Sequence, residues 1–190
     1  MPKIDAPTVA EHHARRRAAL LAAAETVLAE QGLDALSLGA VGAQAGLARS
    51  SVYQYFDSTP ALLVAVVEDA FPRATRTLRA AVDAESTPLE KVDAYVRTAL
   101  DLAADRTHRS LAALASADLP PECRARVVEL HTAQNAPLRE SLVELGDPDP
   151  DLTCRLLVGL VRGASQAVTD GAPVAAVRRR TLAIVHEGIG

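Results

Sequence analysis

The sequence predicts an all-α fold of about nine helices. Apolar residues make up 49% of the 190 residues but aromatic residues only 3%, so the core must be built from Leu, Val and Ala. Alanine-rich runs with little Gly or Pro inside them favour helix. Apolar residues recur at helical spacing along the chain, and no stretch sustains the period-2 alternation of a half-buried strand.

A loose arm and one long helix are predicted at the N-terminus. Residues 1–12 hold Pro2, Pro7 and polar residues, which favour an irregular arm. From about His13, apolar residues share one face of a helix, namely Leu20, Leu21, Ala24, Val27 and Leu28. Gly32 suits the C-terminal cap of this helix, because glycine adopts the left-handed conformation readily.

Two short helices are predicted next. Ser37 precedes the first, and its hydroxyl can accept a hydrogen bond from a backbone N–H at the helix start. Gly46 ends this helix. The second short helix spans roughly 49–56 and directs Val52 and Phe56 inward.

Longer helices fill the rest of the chain. The stretch "DSTP" predicts Thr59 as N-cap and Pro60 at the first position of the fourth helix, and Pro72 inside that helix predicts a kink. The stretch "TPLE" at 87–90 is a capping box that starts the fifth helix. Further helices are predicted over about 107–117, from "LPPE" at 119–122 to near Gly146, over 152–169 and over 174–187.

Residues 37–56 have the spacing of a helix-turn-helix. Its two helices can cross closely only if the first carries a small side chain four residues before the turn glycine, and that position is Gly42. Glycine at position 46 permits a positive φ in the turn. Apolar residues flank the crossing and would hold the helices at a steep angle, namely Val41, Leu47 and Val52.

The outward face of the second short helix is polar and carries Arg49, Ser50, Ser51, Tyr53 and Gln54. An arginine fork matches guanine edges, small hydroxyls permit close approach, and a phenol reaches phosphate. The pattern therefore predicts contact with DNA. The alternative is that Tyr53, Tyr55 and Phe56 are core residues, which we expect of Phe56.

The stretch "RRAALLAAAETVLAEQGLDALSLGAVGAQAGLARSSVYQYF" resembles the N-terminal domain of TetR-family transcriptional regulators. The matching marks are Ala23 and Ala24 before "LAEQG", a serine before the second helix, "AG" at the turn, and "VYQYF" followed by "ALL". The resemblance covers about residues 15–67, and many spaced positions agree at once. The remainder is similar only in its layout of helices.

The resemblance implies DNA-contacting roles for residues on the first three helices. Ser37 would contact phosphate from the start of the second helix, and Tyr55 would either contact phosphate or pack. Three consecutive arginines would flank the DNA backbone, although alone they would indicate only a solvated face. The full implied set is Arg15, Arg16, Arg17, Ser37, Arg49, Ser50, Ser51, Tyr53, Gln54 and Tyr55.

Two positions depart from the family's pattern. Members usually have Ser or Thr near Ala48, so the recognition helix loses a cap. They usually carry Lys-Glu where Thr59-Pro60 stands, so one ammonium that binds phosphate is missing. Because counterion release depends on such contacts, we expect modest DNA affinity and a shallow salt dependence.

The predicted organisation is a DNA-binding domain over residues 1–57 and a helical domain over residues 58–190. The resemblance implies that the second domain binds an effector and dimerises. Its last two helices have opposed apolar faces, so two from each chain would form a four-helix bundle. The alternative is that they pack only within the monomer. The predicted interface residues are Leu152, Leu156, Gly159, Leu160, Gly163, Val177, Leu182 and Val185.

Polar residues on otherwise apolar segments mark a candidate effector pocket among the fourth to eighth helices. They are Tyr95, His108, His131, Gln134, Asn135, Arg155 and Gln166. Any one of these residue types is more often an ordinary surface or internally bonded residue than a ligand contact. Because aromatic residues are scarce, a small or aliphatic effector is expected. The bend expected at Pro72 either couples the pocket to the DNA-binding domain through the fourth helix or is a local kink without a signalling role.

Composition limits the remaining classes of function. The net charge of −4 is not that of a typical nucleic-acid binder, so DNA binding depends on local placement of charge. Two cysteines without close spacing, no apolar run of membrane-spanning length and no secretory signal indicate the cytoplasm. The His and Cys residues lack metal-ligand spacing, and no nucleophile or phosphate-loop motif occurs, so we predict no enzyme, metal or cofactor.

The predicted function is a homodimeric transcriptional repressor that a small-molecule effector releases from operator DNA. The alternative is a helical protein that sequesters a small molecule and whose DNA-binding head is weakened or lost.

Overall fold

The structure, a computed structural model, describes residues 9–104 and 121–189 and confirms the all-α prediction. The described residues form eight α-helices and one short 3-10 helix at Leu33–Ala35. The helices are α1 Val9–Gln31, α2 Leu38–Gln44, α3 Arg49–Val52, α4 Thr59–Asp83, α5 Pro88–Ala104, α6 Pro121–Leu145, α7 Pro150–Thr169 and α8 Val174–Ile189. The predicted helix near 107–117 lies outside the described residues.

Helix ends follow local chemistry at most of the predicted positions. The Ser37 hydroxyl accepts from the Ala40 N–H at the start of α2, as predicted. The capping box is also confirmed, since Thr87 N–H donates to a Glu90 carboxylate oxygen at 3.0 Å and Glu90 N–H donates to the Thr87 hydroxyl at 3.3 Å. Gly32, with φ of +83°, ends the first helical segment.

Several predicted boundaries are wrong by a few residues. The N-cap of α4 is Ser58, whose hydroxyl accepts from Ala61 N–H, and Thr59 is already helical. Residues 9–12 of the predicted arm belong to α1, whereas residues 1–8 lie outside the described part. Asp149 caps α7 and places its start at Pro150, two residues before the predicted start. Helix α4 continues through Pro72, and the predicted kink stays a prediction.

Two clusters of buried residues form the core. The first joins α1, α2 and α3 to the first half of α4 and to Cys123, Val127 and Leu130 of α6. The second joins the end of α4 to α5, the second half of α6, α7 and α8. Helix α4 therefore runs from one cluster to the other, and the first cluster extends past the predicted division at residues 57 and 58.

Ion pairs on the surface connect α4 to α6 outside the core. Arg126 of α6 pairs with Glu68 at 3.0 Å, and Arg79 of α4 forms a forked pair with Glu140. In the part of the chain that the structure describes, no helix is both long and apolar enough to cross a membrane.

Candidate nucleic-acid interface and ligand cavity

Gly42 lets α2 and α3 cross closely. A Cβ atom on Gly42 would lie 2.9 Å from Cγ2 of Val52 and 3.0 Å from the carbonyl oxygen of Leu47, both closer than ordinary van der Waals contact. The turn is closed by a hydrogen bond of 2.8 Å from Leu47 N–H to the Gly42 carbonyl, and Gly46 has φ of +68°. The predicted steric requirement at position 42 is confirmed.

Helix α3 is shorter than the predicted span of 49–56. It makes one regular turn and continues as a turn over residues 53–55. The N–H groups of Tyr55 and Phe56 both donate to the Val52 carbonyl, at 2.9 and 3.1 Å, which tightens the chain at the helix end. Ala48 is the N-cap and provides no side-chain hydrogen bond, so the expected loss of a cap is confirmed.

The outward face of α3 is open to solvent. Arg49, Ser50, Tyr53 and Gln54 are exposed, whereas Ser51 is half-buried. Arg49 Nη2 donates to the Tyr53 hydroxyl at 3.0 Å, and its Cζ atom lies 5.7 Å from the centre of the Tyr53 ring. This contact holds the guanidinium and the phenol together on one exposed patch.

Helix α1 contacts the segment that follows α3. The rings of His13 and Tyr55 stack at 4.5 Å, and Arg17 Cζ lies 5.6 Å from the centre of the buried Phe56 ring. The aromatic residues after α3 thereby fix the N-terminal part of α1, on which Arg15, Arg16 and Arg17 are all exposed. The predicted arginines and the α3 segment belong to neighbouring elements.

Two histidines join this surface that the sequence did not assign to it. His12 Nε2 accepts a hydrogen bond of 3.0 Å from Arg16 Nε, and His13 stacks on Tyr55 as described. The i, i+4 spacing of His12 and Arg16 was the available signal. Residues 1–12 were predicted to form an irregular arm, so this contact was not expected, because the spacing places the two side chains together only in a helix.

A cavity of about 150 Å³ lies among α4, α5, α6 and α7. Four of the predicted pocket residues line it, namely Tyr95, His131, Gln134 and Asn135. Arg155 and Gln166 are exposed and are not among its lining residues, and Gln166 donates to Asp170 instead. His108 lies outside the described residues.

Other cavity residues were missed by sequence reasoning. Phe71 of α4 forms part of the wall and meets the His131 ring edge-on, with ring centres 4.8 Å apart. Arg162 and Ser165 of α7 also line the cavity. Arg162 is exposed to solvent as well as lining the cavity, and its interruption of the apolar run "LLVGLVRGA" was the available signal.

The polar atoms of the cavity differ in their hydrogen bonding. The Tyr95 hydroxyl donates to Asn135 Oδ1 at 2.8 Å, and burial raises the pKa of Tyr95 so that the phenol stays neutral. His131 Nε2 is buried and has no hydrogen-bond partner among the described residues. Burial first, and then the positive charge of Arg162, lowers the pKa of His131, which favours a neutral imidazole.

Helices α7 and α8 present an open apolar groove. Leu152, Leu156, Gly159 and Gly163 are exposed, and a Cβ atom on either glycine would meet no atom within 4 Å. Leu160 and Leu182 are half-buried against the second core cluster, and Val177 is half-buried in the groove wall. The prediction of Val185 as an interface residue conflicts with its exposure of 1%, because its side chain faces the interior of its own chain. Ile184, which was not predicted, lines the groove.

Comparison with known proteins links the N-terminal part of the chain to bacterial regulators. A family model described as bacterial regulatory proteins, tetR family, matches residues 20–66. The HTH-type transcriptional regulator BetI of Rhizobium meliloti (strain 1021) is 32% identical over 97 residues. That match spans 51% of this chain and 45% of the relative, and thus less than half of the relative's length.

Solved structures share the complete fold at low sequence identity. FadR from Bacillus subtilis in complex with stearoyl-CoA has a TM-score of 0.76 and 19% identity, covering 88% of this chain and 96% of that one. A putative transcriptional regulator from Saccharomonospora viridis in complex with choline has a TM-score of 0.79 and 16% identity, with coverage of 91% and 96%. A TetR-family regulator from Streptomyces coelicolor has a TM-score of 0.77 and 22% identity, with coverage of 93% and 94%.

Proposed function

We propose that the chain, whose residues 20–66 match the model of the tetR family, is a cytoplasmic TetR-family transcriptional repressor that binds operator DNA and leaves it when an effector binds. The observation that supports this function most directly is that the outer face of α3 is exposed to solvent where α2 and α3 cross closely at Gly42. An α-helix of this kind can enter the major groove of DNA when nothing of its own chain covers it.

The proposed base and phosphate contacts come from two neighbouring elements. Arg49 reads base edges or phosphate from α3, and Tyr53 donates to phosphate beside it. Ser50, Ser51 and Gln54 complete the α3 face, and Ser37 reaches phosphate with its hydroxyl hydrogen, since its oxygen is already the cap of α2. The arginines of α1 flank the backbone, and Tyr55 is the least available member of the set because it stacks on His13.

We propose that the active form is a homodimer. Ile184 lines the groove of α7 and α8, and exposed Leu152 and Leu156 precede its glycines on α7, so the same surface on a second chain can cover all three by two-fold symmetry. A four-helix bundle of this kind places two α3 helices for half-sites about 34–36 Å apart.

The effector role of the cavity is supported by its position. Helix α4 lines the cavity with Ala70, Phe71 and Ala74, and its first half packs in the same core cluster as α1, α2 and α3. An effector acts only if it binds the DNA-incompetent arrangement more tightly than the competent one. The small-molecule complexes of two structural neighbours support this use of the second domain.

DNA binding can be tested directly. We would capture genomic fragments of the source organism with the purified full-length chain at low salt, and measure the affinity of a recovered fragment by fluorescence anisotropy. Arg49→Ala is expected to weaken binding by about tenfold or more, from a loss of about 1–3 kcal/mol per bidentate contact. Tyr53→Phe should weaken it less, because one hydroxyl is lost. Arg76→Ala, which removes an exposed arginine of α4 remote from α3 in sequence, should leave it unchanged.

A second candidate function has support of its own. The recognition helix is one turn long and lacks a side-chain cap, as expected of a head that has lost selection for DNA binding. In that case the protein sequesters a small molecule. Absence of any recovered DNA fragment, with ligand binding intact, would favour this function over repression.

A further inference from the structure

The cavity among α4, α5, α6 and α7 has an electrostatic character that selects between classes of ligand. Its walls are mostly apolar side chains from α4, α5 and α7, whereas α6 contributes His131, Gln134 and Asn135. Its described lining residues include Arg162 and His131 but no Asp or Glu. A cationic ligand would therefore find no counter-ion among them, whereas an anionic ligand would find a guanidinium.

Two observations mark the place for the anionic group. Arg162 is exposed and lines the cavity, and in the part of the chain that the structure describes it forms no ion pair with a carboxylate, whereas Arg79, Arg126 and Arg139 on the cavity-forming helices do. His131 Nε2 is buried without a hydrogen-bond partner among the same residues. A buried polar atom without a partner costs free energy, and a ligand that supplies the partner recovers it. A neutral imidazole protonated on Nε2 can donate to a carboxylate oxygen.

The size of the cavity limits the rest of the ligand. A volume of about 150 Å³ is comparable to a cavity that accepts one benzene molecule, which has about six heavy atoms. A long acyl chain or a multi-ring drug would have to extend out of that space. The apolar side chains of Phe71, Leu78 and Leu102 provide walls for a short hydrocarbon body.

We propose that this cavity binds a small monocarboxylate with a hydrocarbon body of about six carbon atoms, its carboxylate held by Arg162 and His131. The inference builds on the proposed function, in which this cavity is the effector site, and names the chemical class of the effector. Ser165 also lines the cavity, but its hydroxyl donates to the Val161 carbonyl, so its oxygen can only accept. Arg162 is the one lining residue with a full positive charge, and His131 is the one with a buried nitrogen that lacks a partner among the described residues.

The test compares ligands that share a body and differ in charge. Binding of hexanoate, benzoate, 1-hexanol and hexyltrimethylammonium to the full-length chain would be measured by isothermal titration calorimetry, up to about 10 mM ligand. The two carboxylates are expected to bind at least about tenfold more tightly than the alcohol, with no binding of the cation. Equal binding of the alcohol, binding of the cation, or no binding of either carboxylate would overturn the proposal.

Two variants locate the carboxylate. Arg162→Gln should weaken carboxylate binding by about tenfold and leave alcohol binding unchanged, and His131→Phe should weaken it as well. Arg76→Gln is the matched control, because it removes one positive charge from an exposed position of α4 that does not line the cavity. Equal weakening by Arg76→Gln and Arg162→Gln would assign the effect to net charge and contradict the site.

The outcome is separable from that of the proposed function. DNA affinity of the ligand-free chain does not involve the cavity, so a chain that binds DNA but no carboxylate refutes only the ligand class. A chain that binds carboxylate through Arg162 but captures no DNA refutes only the repressor function.

Discussion

Gly42 is the residue on which the geometry of the candidate DNA-binding surface depends. In Gly42→Ala, the new methyl group would lie 3.0 Å from the Leu47 carbonyl oxygen and 2.9 Å from Val52 Cγ2. The backbone carbonyl cannot rotate away as a side chain does, so α2 and α3 must separate. We expect a loss of about 1–3 kcal/mol in the free energy of unfolding, measured by chemical denaturation, together with weaker DNA binding.

Gly39→Ala is the matched control in the same helix. A Cβ atom there would have no neighbour closer than 3.9 Å, so the substitution should be neutral or stabilising by up to about 1 kcal/mol through helix propensity. Equal stability of the two variants would show that the crossing tolerates a side chain and would remove the steric basis of the interface.

Protonation of His131 is expected to make the free energy of unfolding depend on pH. Burial and the nearby Arg162 lower the pKa of His131 below its ordinary value of 6.5. Well above pH 6.5 the ring is neutral in both folded and unfolded chains, and stability has its full value. As pH falls below that value, the unfolded chain takes up the proton first, so stability is lost down to the folded pKa.

We therefore expect His131→Phe to lose less stability than the wild-type chain between about pH 7.5 and about pH 5.5. Denaturant unfolding in buffers free of carboxylates measures the difference at each pH. Carboxyl groups elsewhere titrate in both proteins and cancel in the comparison. A larger loss in the variant would mean that the charged imidazolium is favoured by the fold.

At the scale of elements, α4 connects the cavity with the DNA-binding head. Phe71 lines the cavity, and Arg73, two residues later, donates to the carboxylate of Glu25 in α1. Glu25 is only 8% exposed, whereas Arg73 is half exposed and also pairs with Asp69 at 2.5 Å. The ion pair thus ties α1 to the helix that lines the cavity.

Arg73→Met is expected to lower the free energy of unfolding by about 1–3 kcal/mol, because it leaves a buried carboxylate without its counter-ion. Adding Glu25→Gln should recover part of that loss, and a double-mutant cycle measures the coupling between the two residues. Arg76→Met, on the same helix without this partner, should change stability by less than about 0.5 kcal/mol. Additive effects of the Arg73 and Glu25 substitutions would show that the pair carries no coupling.

Local chemistry explains which elements could be predicted from the sequence. Caps at Ser37 and Thr87, and the glycine crossing at Gly42, depend on neighbours within a few residues and were found. Ser58 and Thr59 offer the same hydroxyl chemistry, so their order at the start of α4 was not decidable from residue type. Helix α3 was predicted too long because Val52 and Phe56 fit a helical face, whereas the chain tightens after Val52.

The ligand cavity shows the limit of sequence reasoning more clearly. Tyr95 and His131 were found because each is a polar residue on an apolar face. Arg155 and Arg162 lie one heptad apart on α7 and share a side-chain type, yet only Arg162 lines the cavity. Both arginines are exposed and share one face of α7, so the difference lies in where along α7 the cavity is placed. That placement depends on the packing of α7 against α5 and α6, and packing over long sequence separations is not encoded in local spacing.

For the whole molecule, the α7 and α8 groove determines the assembly that we propose. Leu156 is 64% exposed and Leu152 is 44% exposed. Exposure of two neighbouring leucines to water on one helix is unfavourable and marks a contact surface. Val185 exposes almost no apolar surface, because its side chain is packed within its own chain. A second copy that covers the groove would bury these leucines and Ile184 together.

Leu156→Glu is therefore expected to convert the proposed dimer to a monomer, because a carboxylate would be buried at the proposed interface without a partner. Sedimentation velocity measures the mass of the particle, and far-ultraviolet circular dichroism checks that the fold is retained. Val143→Glu is the matched control, since Val143 is a similarly exposed apolar residue on α6, away from the groove. DNA affinity should fall with dimer loss, because one chain can occupy only one half-site. Dissociation by Val143→Glu but not by Leu156→Glu would move the interface to α6, and the separation of the two α3 helices would then have to be derived from that surface.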